Sequence, residues 1–150
     1  MPSFYAGTAC PFCRIVDGDD PDVRVVFRTE GVAAFFPTEP AVLGHTLLVP
    51  ARHVTYLWDL TPQEAAQLGQ ASRSLARVMV ETLAPQGLSL IQSNGEVASQ
   101  TVEHVHFHLV PRWNGDAIGT IWPPETSYSE SSKDLVWERL ARACARDVRA

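Results

Sequence analysis

The sequence predicts an α+β domain with a mainly antiparallel sheet of about five strands, one long helix and a C-terminal helix. Short segments rich in β-branched and aromatic residues lie between glycines and prolines, and a segment in the middle of the chain has apolar residues at helical spacing. With 150 residues, 45% of them hydrophobic, the chain has the size of a single globular domain. We expect its core over residues 10–112 and an extension with a helix over residues 113–150.

The first three predicted strands follow one another in the N-terminal third of the chain. They span residues 23–27, 32–36 and 43–49, which combine branched, aliphatic and aromatic side chains. Glycine and proline residues separate them, as is typical of turns.

A long helix is predicted to begin after Thr61. Thr61 suits the N-cap position, Pro62 the first helical position, and Glu64 the completion of a capping box. The following segment has a mostly apolar stripe at helical spacing: Leu68, Ser72, Leu75, Met79 and Leu83. Pro85 and Gly87 predict the end of this helix.

Two further strands are predicted after the helix. They span residues 88–92 and 103–110, and the turn-forming cluster at residues 93–95 begins the connection between them. We expect a hairpin whose connecting loop is functional.

The C-terminal segment is predicted to be irregular and then helical. Pro123 and Pro124 exclude regular structure, and either Ser131 or Ser132 can cap a helix running to about residue 148. Four side chains of that helix can form an apolar face: Leu135, Trp137, Leu140 and Cys144.

Charge and hydropathy exclude two classes of partner. The formal net charge of -5 argues against a broad basic surface for nucleic acid, although a local pocket can still bind a small phosphorylated ligand. No apolar run approaches the roughly 20 residues that span a bilayer. The N-terminal residues lack the basic and apolar regions of a secretory signal, so we expect a cytoplasmic protein with no membrane contact.

Three histidines alternate with apolar residues in the last predicted strand: His104, His106 and His108. Because side chains along a strand alternate between faces, the three imidazoles are expected to share one face. A solvent-facing strand that happens to carry histidines is the simplest alternative. A single metal bound by all three is another, but the outer pair lies about 13 Å apart along a strand, too far for nitrogens about 2.0 to 2.1 Å from zinc. At least one histidine is therefore expected to be free for other chemistry.

Residues 104–110 match the histidine triad pattern, in which three histidines alternate with apolar residues and two further apolar residues follow. Residues 35–40 and 44–53 resemble the strand pair of that family's nucleoside pocket, and residues 94–102 resemble the loop leading into the triad. Each segment alone is a weak signal, but together, in this order and spacing, they are specific for that family. The chain resembles the HIT (histidine triad) family over most of residues 10–112.

The resemblance implies binding of nucleoside phosphates, with the triad His104, His106 and His108 as catalytic residues and His106 as nucleophile. A neutral imidazole, whose ordinary pKa is about 6.5, is available for attack at pH 7 once a nearby backbone carbonyl fixes its tautomer. The resemblance places His108 against the phosphate oxygens. Gln100 and Thr101 would donate hydrogen bonds to developing charge, and ordinary polar loop residues are the alternative for both.

The family's nucleobase pocket has apolar positions that match five residues here: Phe12, Ile15, Phe35, Phe36 and Leu47. Aromatic faces suit a stacked purine, and core packing is the alternative for the same side chains. In the loop before the triad, Asn94 and Ser99 are candidate ligand-binding residues.

Three positions differ from the family pattern. Pro37 stands where many members carry an acidic residue that binds the ribose hydroxyls, and proline offers neither charge nor N–H. Ser93 stands in place of a common amide side chain. Ser99 adds a Cβ where a glycine usually lets the backbone approach phosphate. These differences bear on nucleoside preference and on the position of the phosphate.

Cys10 and Cys13 have the two-residue gap that lets both thiolates reach one tetrahedral zinc ion. There is no second such pair, so completing ligands would be histidines. Resemblance to some HIT proteins, and to the related galactose-1-phosphate uridylyltransferases, implies His53 and His104 as those ligands in a closed structural site. A redox dithiol and a pair of buried unligated cysteines are the alternatives. Cys144, alone on a predicted helix, is expected to pack.

The function expected from the sequence is hydrolysis or nucleotidyl transfer through a covalent intermediate on His106. The substrate would be a nucleoside phosphoramidate, a phosphoanhydride or a dinucleoside polyphosphate, attacked at its α-phosphate. The alternative is a zinc-stabilised nucleotide-binding module with little turnover, motivated by Pro37, Ser93 and Ser99. The resemblance also implies a homodimer. His45 is similar to a family position that supports the triad, and a satisfied buried histidine is the alternative.

Overall fold

The computed structural model describes residues 10–147, which contain three α-helices and five strands. The helices are α1 (Pro11–Asp17), α2 (Pro62–Leu83) and α3 (Glu130–Asp147), and the strands are β1 (Val25–Arg28), β2 (Val32–Phe35), β3 (Thr46–Pro50), β4 (Gly87–Gln92) and β5 (Phe107–Arg112). Two short 3-10 helices, Leu57–Asp59 and Glu96–Ala98, lie in the connections. The predicted α+β class with a five-stranded antiparallel sheet is confirmed.

The strands form one sheet in the order β1-β2-β3-β5-β4, and every neighbouring pair is antiparallel. β5 therefore lies between β3 and β4. In this register His108 on β5 is paired with Leu47 on β3 and with Ile91 on β4. Side chains at directly paired positions point to the same face, so His108 and Leu47 share a face of the sheet.

The two faces of the sheet carry different cores. On one, which we call the α2 face, the buried cluster is aliphatic: Val32, Ala34, Leu48, Leu68, Leu75, Met79 and Leu109. On the other, the α1 face, residues of α1 and its N-cap pack on β2 and β3: Cys10, Phe12, Cys13, Ile15, Ala33, Phe35, Leu47 and Val49. Alternation along β2 divides its residues between the two clusters.

The predicted start of α2 is confirmed. The Thr61 hydroxyl accepts a hydrogen bond from the Glu64 backbone N–H, and the Glu64 carboxylate accepts one from the Thr61 backbone N–H at 2.9 Å. Glu64 also accepts two bonds from the Arg52 guanidinium, at 2.7 and 2.8 Å. The capping box and this ion pair join the N-terminus of α2 to the segment that follows β3.

Helix α1 is the element that the sequence-based prediction lacks. It has only seven residues, its N-cap Cys10 makes no side-chain capping bond, and its first turn has no acidic residue. Gly18, with φ 82°, ends it in the left-handed conformation that favours glycine. A helix this short has little stability of its own, so its local signals are weak and packing determines its formation.

The prediction of a strand over residues 103–110 begins too early. β5 starts after His106, so both His104 and His106 precede it. In this stretch Val105 donates a backbone hydrogen bond of 2.6 Å to the carbonyl of Val54, in the connection after β3. The backbone around His104 and His106 is therefore held by a hydrogen bond to a connecting segment, and not by the hydrogen bonds of the sheet.

The chain contacts divide into two units, one ending at Ile118 and one beginning at Gly119. The first contains the sheet, α1 and α2, and the second contains α3. Across residues 10–147, every helix is too short or too polar to cross a bilayer.

Helix α3 begins slightly earlier than predicted. Its first residue is Glu130, and the Ser129 hydroxyl accepts a hydrogen bond of 3.2 Å from the Ser132 backbone N–H. Ser129 therefore occupies the capping position that was assigned to Ser131 or Ser132, a shift of two or three residues that places the whole serine cluster at the helix start.

Candidate functional site

The α1 face has a cavity of about 530 Å³. Its wall brings together three histidines and all five residues of the predicted nucleobase pocket: His45, His106, His108, Phe12, Ile15, Phe35, Phe36 and Leu47. Phe12 contacts Phe35 and His106 edge-on, with ring centroids 5.3 and 5.2 Å apart. Phe12 and Phe35 also belong to the core, so these side chains serve packing and line the cavity at once.

His106 is held in one tautomer. Its Nδ1 lies 2.7 Å from the backbone oxygen of His104, and because a carbonyl only accepts, Nδ1 carries the proton. Nε2 therefore keeps its lone pair. Burial lowers the pKa of His106, and the bond to the carbonyl opposes that effect, so the ring is neutral at pH 7. A neutral, buried imidazole with a fixed lone pair meets the requirements of a nucleophile.

His104 faces a different group of side chains. Its Nε2 donates to the backbone oxygen of Pro50 at 2.9 Å, which leaves the lone pair on Nδ1. That Nδ1 lies 3.5 Å from Cys10 Sγ and 3.6 Å from Cys13 Sγ. The pKa of His104 is lowered to about 4, mainly because the ring is buried. The His104 carbonyl thus accepts a hydrogen bond from His106, while the His104 ring faces Cys10 and Cys13.

His108 is oriented by a hydrogen bond from His45. The sequence left open whether His45 supports the triad or is a satisfied buried histidine. The backbone N–H of Ala41 donates to His45 Nδ1 at 3.1 Å, so the proton of neutral His45 is on Nε2. His45 Nε2 lies 2.9 Å from His108 Nδ1 and donates to it. The remaining nitrogen of His108, Nε2, then carries a proton. Burial, followed by the charges of His106 and His45, lowers the pKa of His108 to about 4.

The two candidate amides of the loop before the triad, Gln100 and Asn94, are hydrogen-bonded to backbone groups of the protein. Gln100 is buried; its Oε1 accepts from the Gly95 backbone at 2.7 Å, and its Nε2 donates to the Thr55 carbonyl at 2.8 Å. Asn94 Oδ1 accepts from the Leu57 backbone at 2.8 Å. Both side chains join this loop to the segment between β3 and α2, so they build the loop.

A second cavity of about 630 Å³ lies beside the same loop. Ser99 and Gln100 line it together with Tyr56, whereas Thr101 and Val102 line both cavities. Among the polar candidates of this loop, Thr101 is thus the one that lines the cavity of the histidines. Ser99 has φ 71°, a left-handed conformation that favours glycine, and carries its Cβ there.

Cys10, Cys13, His53 and His104 form a group that can hold a metal ion. Their ligand atoms all lie within 4.8 Å of one another, and the distance from Cys13 Sγ to His53 Nδ1 is 3.3 Å. Bonds of about 2.3 Å to sulfur and 2.0 to 2.1 Å to nitrogen place tetrahedral zinc ligands about 3.6 Å apart. The sulfur–nitrogen distances of 3.3, 3.5 and 3.6 Å fit that geometry.

Both thiols of this group lie beside imidazole nitrogens. Burial, followed by the hydrogen bond and charge of Cys10, raises the pKa of the Cys13 thiol to about 12. A redox dithiol or a pair of unligated buried cysteines would leave unexplained why the Nδ1 atoms of His53 and His104 both lie beside Cys13 Sγ. The geometry favours metal binding over both alternatives.

The wall of the first cavity also contains polar residues that no sequence pattern indicated. Thr38 and Glu39 line it after Pro37, and Asp20 and Asp22 line it from the segment after α1. Thr38 and Glu39 follow predicted pocket residues directly in the sequence, whereas Asp20 and Asp22 carry no such signal.

Comparison with known proteins gives consistent results. A family model described as the HIT domain matches residues 20–115. The adenosine 5'-monophosphoramidase of Schizosaccharomyces pombe is 32% identical over 128 residues, 85% of this chain and 90% of that protein. The crystal structure of a member of the HIT family from Bacillus subtilis has a TM-score of 0.83 and 31% identity, and covers 95% of this chain and 99% of that chain. A Zn-bound histidine triad family protein from Mycobacterium smegmatis has a TM-score of 0.70 at 31% identity, and covers 95% of this chain and 100% of that chain. The predicted HIT-like fold is confirmed.

Proposed function

The chain belongs to the HIT domain family, and from this premise we propose that it is a nucleotide hydrolase or nucleotidyl transferase with His106 as nucleophile. The observation that carries the proposal is the fixed tautomer of His106 in a cavity that also contains a hydrogen-bond donor, His108. The relative named adenosine 5'-monophosphoramidase supports a nucleoside phosphoramidate as substrate. Phosphoanhydrides and dinucleoside polyphosphates offer the same α-phosphate.

In the first step, His106 Nε2 attacks the α-phosphorus. A phosphorus–nitrogen bond forms while the bond to the leaving group breaks, and the leaving group departs with the electron pair and takes a proton from water. The ring becomes cationic, and the His104 carbonyl, which accepts a hydrogen bond of 2.7 Å from Nδ1–H, stabilises that charge. Water or another acceptor then attacks phosphorus, the phosphorus–nitrogen bond breaks, and its electron pair returns to Nε2, while the acceptor's proton goes to the hydroxide left by the first step.

His108 and Thr101 are proposed to bind the phosphate oxygens. His45 fixes His108 as a donor from Nε2, so a neutral His108 offers an N–H to a phosphate oxygen without a change of tautomer. Thr101 supplies a hydroxyl from the loop that lines the same cavity. Gln100 supports this arrangement by holding the loop through Gly95 and Thr55.

The nucleobase is proposed to lie against the aromatic and aliphatic side chains of α1 and β2. Phe12 and Phe35 provide an edge-on pair with ring surface towards the cavity. Pro37 leaves the ribose without its usual carboxylate, and Glu39 is the nearest acidic residue in the sequence that lines the cavity. Asn94 and Ser99, which lie outside this cavity wall, act on the nucleotide only through the shape of the loop.

The metal at the cysteines and histidines is proposed to be zinc. Two thiolates and two imidazoles in tetrahedral geometry suit zinc, and four protein ligands form a closed, structural site. Bound zinc would supply stability, because the free energy of binding a structural metal adds to that of folding.

The proposed function is tested by following release of adenosine 5'-monophosphate from adenosine 5'-phosphoramidate by chromatography. We expect turnover by the wild type and a loss of at least about 10³-fold in kcat for His106→Asn. Equilibrium dialysis of the variant should show that it still binds adenosine 5'-monophosphate. Wild-type protein that binds this nucleotide but releases no product from any of the three substrate classes would contradict the enzyme and favour the binding module.

We also propose that the protein is a homodimer. β4 is an edge strand of the sheet, and its Leu90 side chain is 53% exposed. An exposed edge with an apolar side chain is a surface that a second copy can pair with. Sedimentation equilibrium should give twice the mass of one chain, and a single-chain mass would contradict this proposal.

A further inference from the structure

Helix α1 takes part in two sites at once. Cys10 and Cys13, at its N-cap and in its first turn, belong to the metal-binding group. Phe12 and Ile15, on the same turn and the next, line the histidine cavity. The segment that delivers half of the metal ligands therefore also delivers one wall of the proposed nucleotide pocket.

The attachment of α1 to the sheet depends on few contacts. Seven residues form too short a helix to be stable alone. Its apolar side chains pack on the α1 face, and the Arg28 guanidinium donates two hydrogen bonds, of 3.1 and 2.9 Å, to the Ile15 carbonyl. A metal ion bound by Cys10 and Cys13 and by the distant His53 and His104 would be a further link between α1 and the rest of the domain.

A second connection between the two sites runs through His104 and Phe12. The ring of His104 belongs to the metal-binding group, while its carbonyl holds His106 at 2.7 Å. The Phe12 ring contacts both imidazoles edge-on, with centroid distances of 5.9 Å to His104 and 5.2 Å to His106. A change in the position of His104 or Phe12 therefore reaches the nucleophile directly.

From these contacts we propose that zinc binding at the four-ligand group and nucleotide binding in the histidine cavity are thermodynamically coupled through α1. The inference rests on the proposed function, because it takes a nucleotide as the ligand of the cavity. Bound zinc holds Phe12 and Ile15 in place as a preformed wall. Without zinc, a nucleotide has to order that wall as it binds, and part of its binding free energy is lost.

Coupling of this kind is reciprocal and has a measurable size. If zinc strengthens nucleotide binding by a given factor, the nucleotide must strengthen zinc binding by the same factor. Coupling between two sites in one domain typically changes affinity by roughly 5- to 150-fold. Both halves of the relation can be measured without turnover.

The first experiment titrates adenosine 5'-monophosphate into zinc-loaded and chelator-stripped wild-type protein by calorimetry. The second measures competition for zinc between the protein and a chromophoric chelator, with and without saturating nucleotide. We expect both to give the same factor, about tenfold or more. Equal nucleotide affinity with and without zinc overturns the coupling alone, whereas no nucleotide binding by the zinc-loaded protein contradicts the proposed function itself.

Two matched variants test the route through α1. Phe12→Leu removes a ring that contacts His104 and His106, whereas Phe36→Leu removes a ring of the same cavity that lies outside α1. We expect both to weaken nucleotide binding, both to keep one zinc per chain, and only Phe12→Leu to reduce the coupling factor. If removal of zinc unfolds the whole protein, the coupling arises from global folding and not from α1. The coupling factor of Phe12→Leu would then equal that of the wild type, and this result overturns the α1 route.

Discussion

The two faces of the sheet share a backbone but differ in what they bury. The α2 face is aliphatic, and Ser72 Oγ is the one buried side-chain polar atom of the described residues without a hydrogen-bond partner. The α1 face buries His45, His104 and His106, and hydrogen bonds fix the tautomer of each ring. Buried polar groups need partners, and on the α1 face those partners also determine which nitrogen can react. The comparison separates a face that stabilises the fold from a face with buried histidines of defined tautomer, of which His45 and His106 line the proposed site.

A substitution in the core of the α2 face should lower stability most and leave the α1 face unchanged. Leu68 is fully buried between α2 and the sheet, so Leu68→Ala should lower the free energy of unfolding by about 2 to 5 kcal/mol. Nucleotide affinity of the folded fraction should stay unchanged because α2 does not line the cavity. Urea unfolding measures the first and calorimetry the second. Val78→Ala, at a position 52% exposed on the same helix, is the control and should change stability by far less.

A second prediction concerns the hydrogen bonds that fix the tautomers of His45 and His108 on the α1 face. His45→Ala removes the donor to His108 Nδ1, and loss of one neutral hydrogen bond of about 1.4 kcal/mol corresponds to roughly a tenfold fall in kcat. His45→Gln should recover most of that activity, since an amide can accept from Ala41 and donate to His108. The variants are compared by kcat, KM and thermal melting. Equal kcat in His45→Ala and wild type would show that His45 only fills space.

The pH dependence of stability gives a third prediction, at the N-terminus of α2. The hydrogen bonds from Arg52 hold the pKa of the Glu64 carboxyl at about 2, below its ordinary value of 4.5. The ionised form therefore stabilises the folded state above about pH 4.5, and this contribution is lost as the pH falls towards 2. Glu64→Gln should lower stability at pH 7 by about 1 kcal/mol and flatten the acid limb of the stability curve.

Urea midpoints of wild type and Glu64→Gln at several pH values between 7 and 2 test this prediction. Arg77→Gln is a matched control, because the Arg77 ion pair with Glu81 is exposed on the surface of the same helix. Parallel acid limbs in wild type and Glu64→Gln would show that Glu64 does not contribute to acid sensitivity.

A final prediction, with a small change in stability, concerns a polar side chain, Ser72, that is buried on the α2 face. Ser72 is buried among aliphatic residues and its hydroxyl is without a partner, so Ser72→Ala removes a desolvated polar atom from a helix interior. We expect the variant to be as stable as wild type or more stable by about 0.5 to 1 kcal/mol. A loss of stability in thermal unfolding would reveal a bond made by this hydroxyl in solution.

Elements with local signals could be predicted from the sequence. The capping box at Thr61 and Glu64 requires only residues three apart, and it appears as predicted. The triad and the cysteine pair were recognisable because short spacing alone defines them, and the structure brings Cys10 and Cys13 to His53 and His104 as the resemblance implied. Short-range patterns carry this information because the interactions themselves are short-range in sequence.

Features that depend on distant contacts could not be predicted. The seven-residue α1 forms against the α1 face, and its own composition indicates no helix. The late start of β5 follows from the bond between Val105 and Val54, about which the alternating pattern of histidines contains no information. The hydrogen bonds of Gln100 with Gly95 and Thr55 likewise depend on the folded loop, and the sequence indicated only a donor to developing charge at this position.

Direct attack of His106 on phosphorus is tested by detection of the covalent adduct. Wild-type protein mixed with adenosine 5'-phosphoramidate is quenched in alkali within its first turnovers, digested, and analysed by mass spectrometry. We predict an adenylyl group on the peptide that contains His106, located on that residue by fragmentation and absent from His106→Asn. Rapid product release with no adduct at any quench time, or an adduct on His108, would contradict the account.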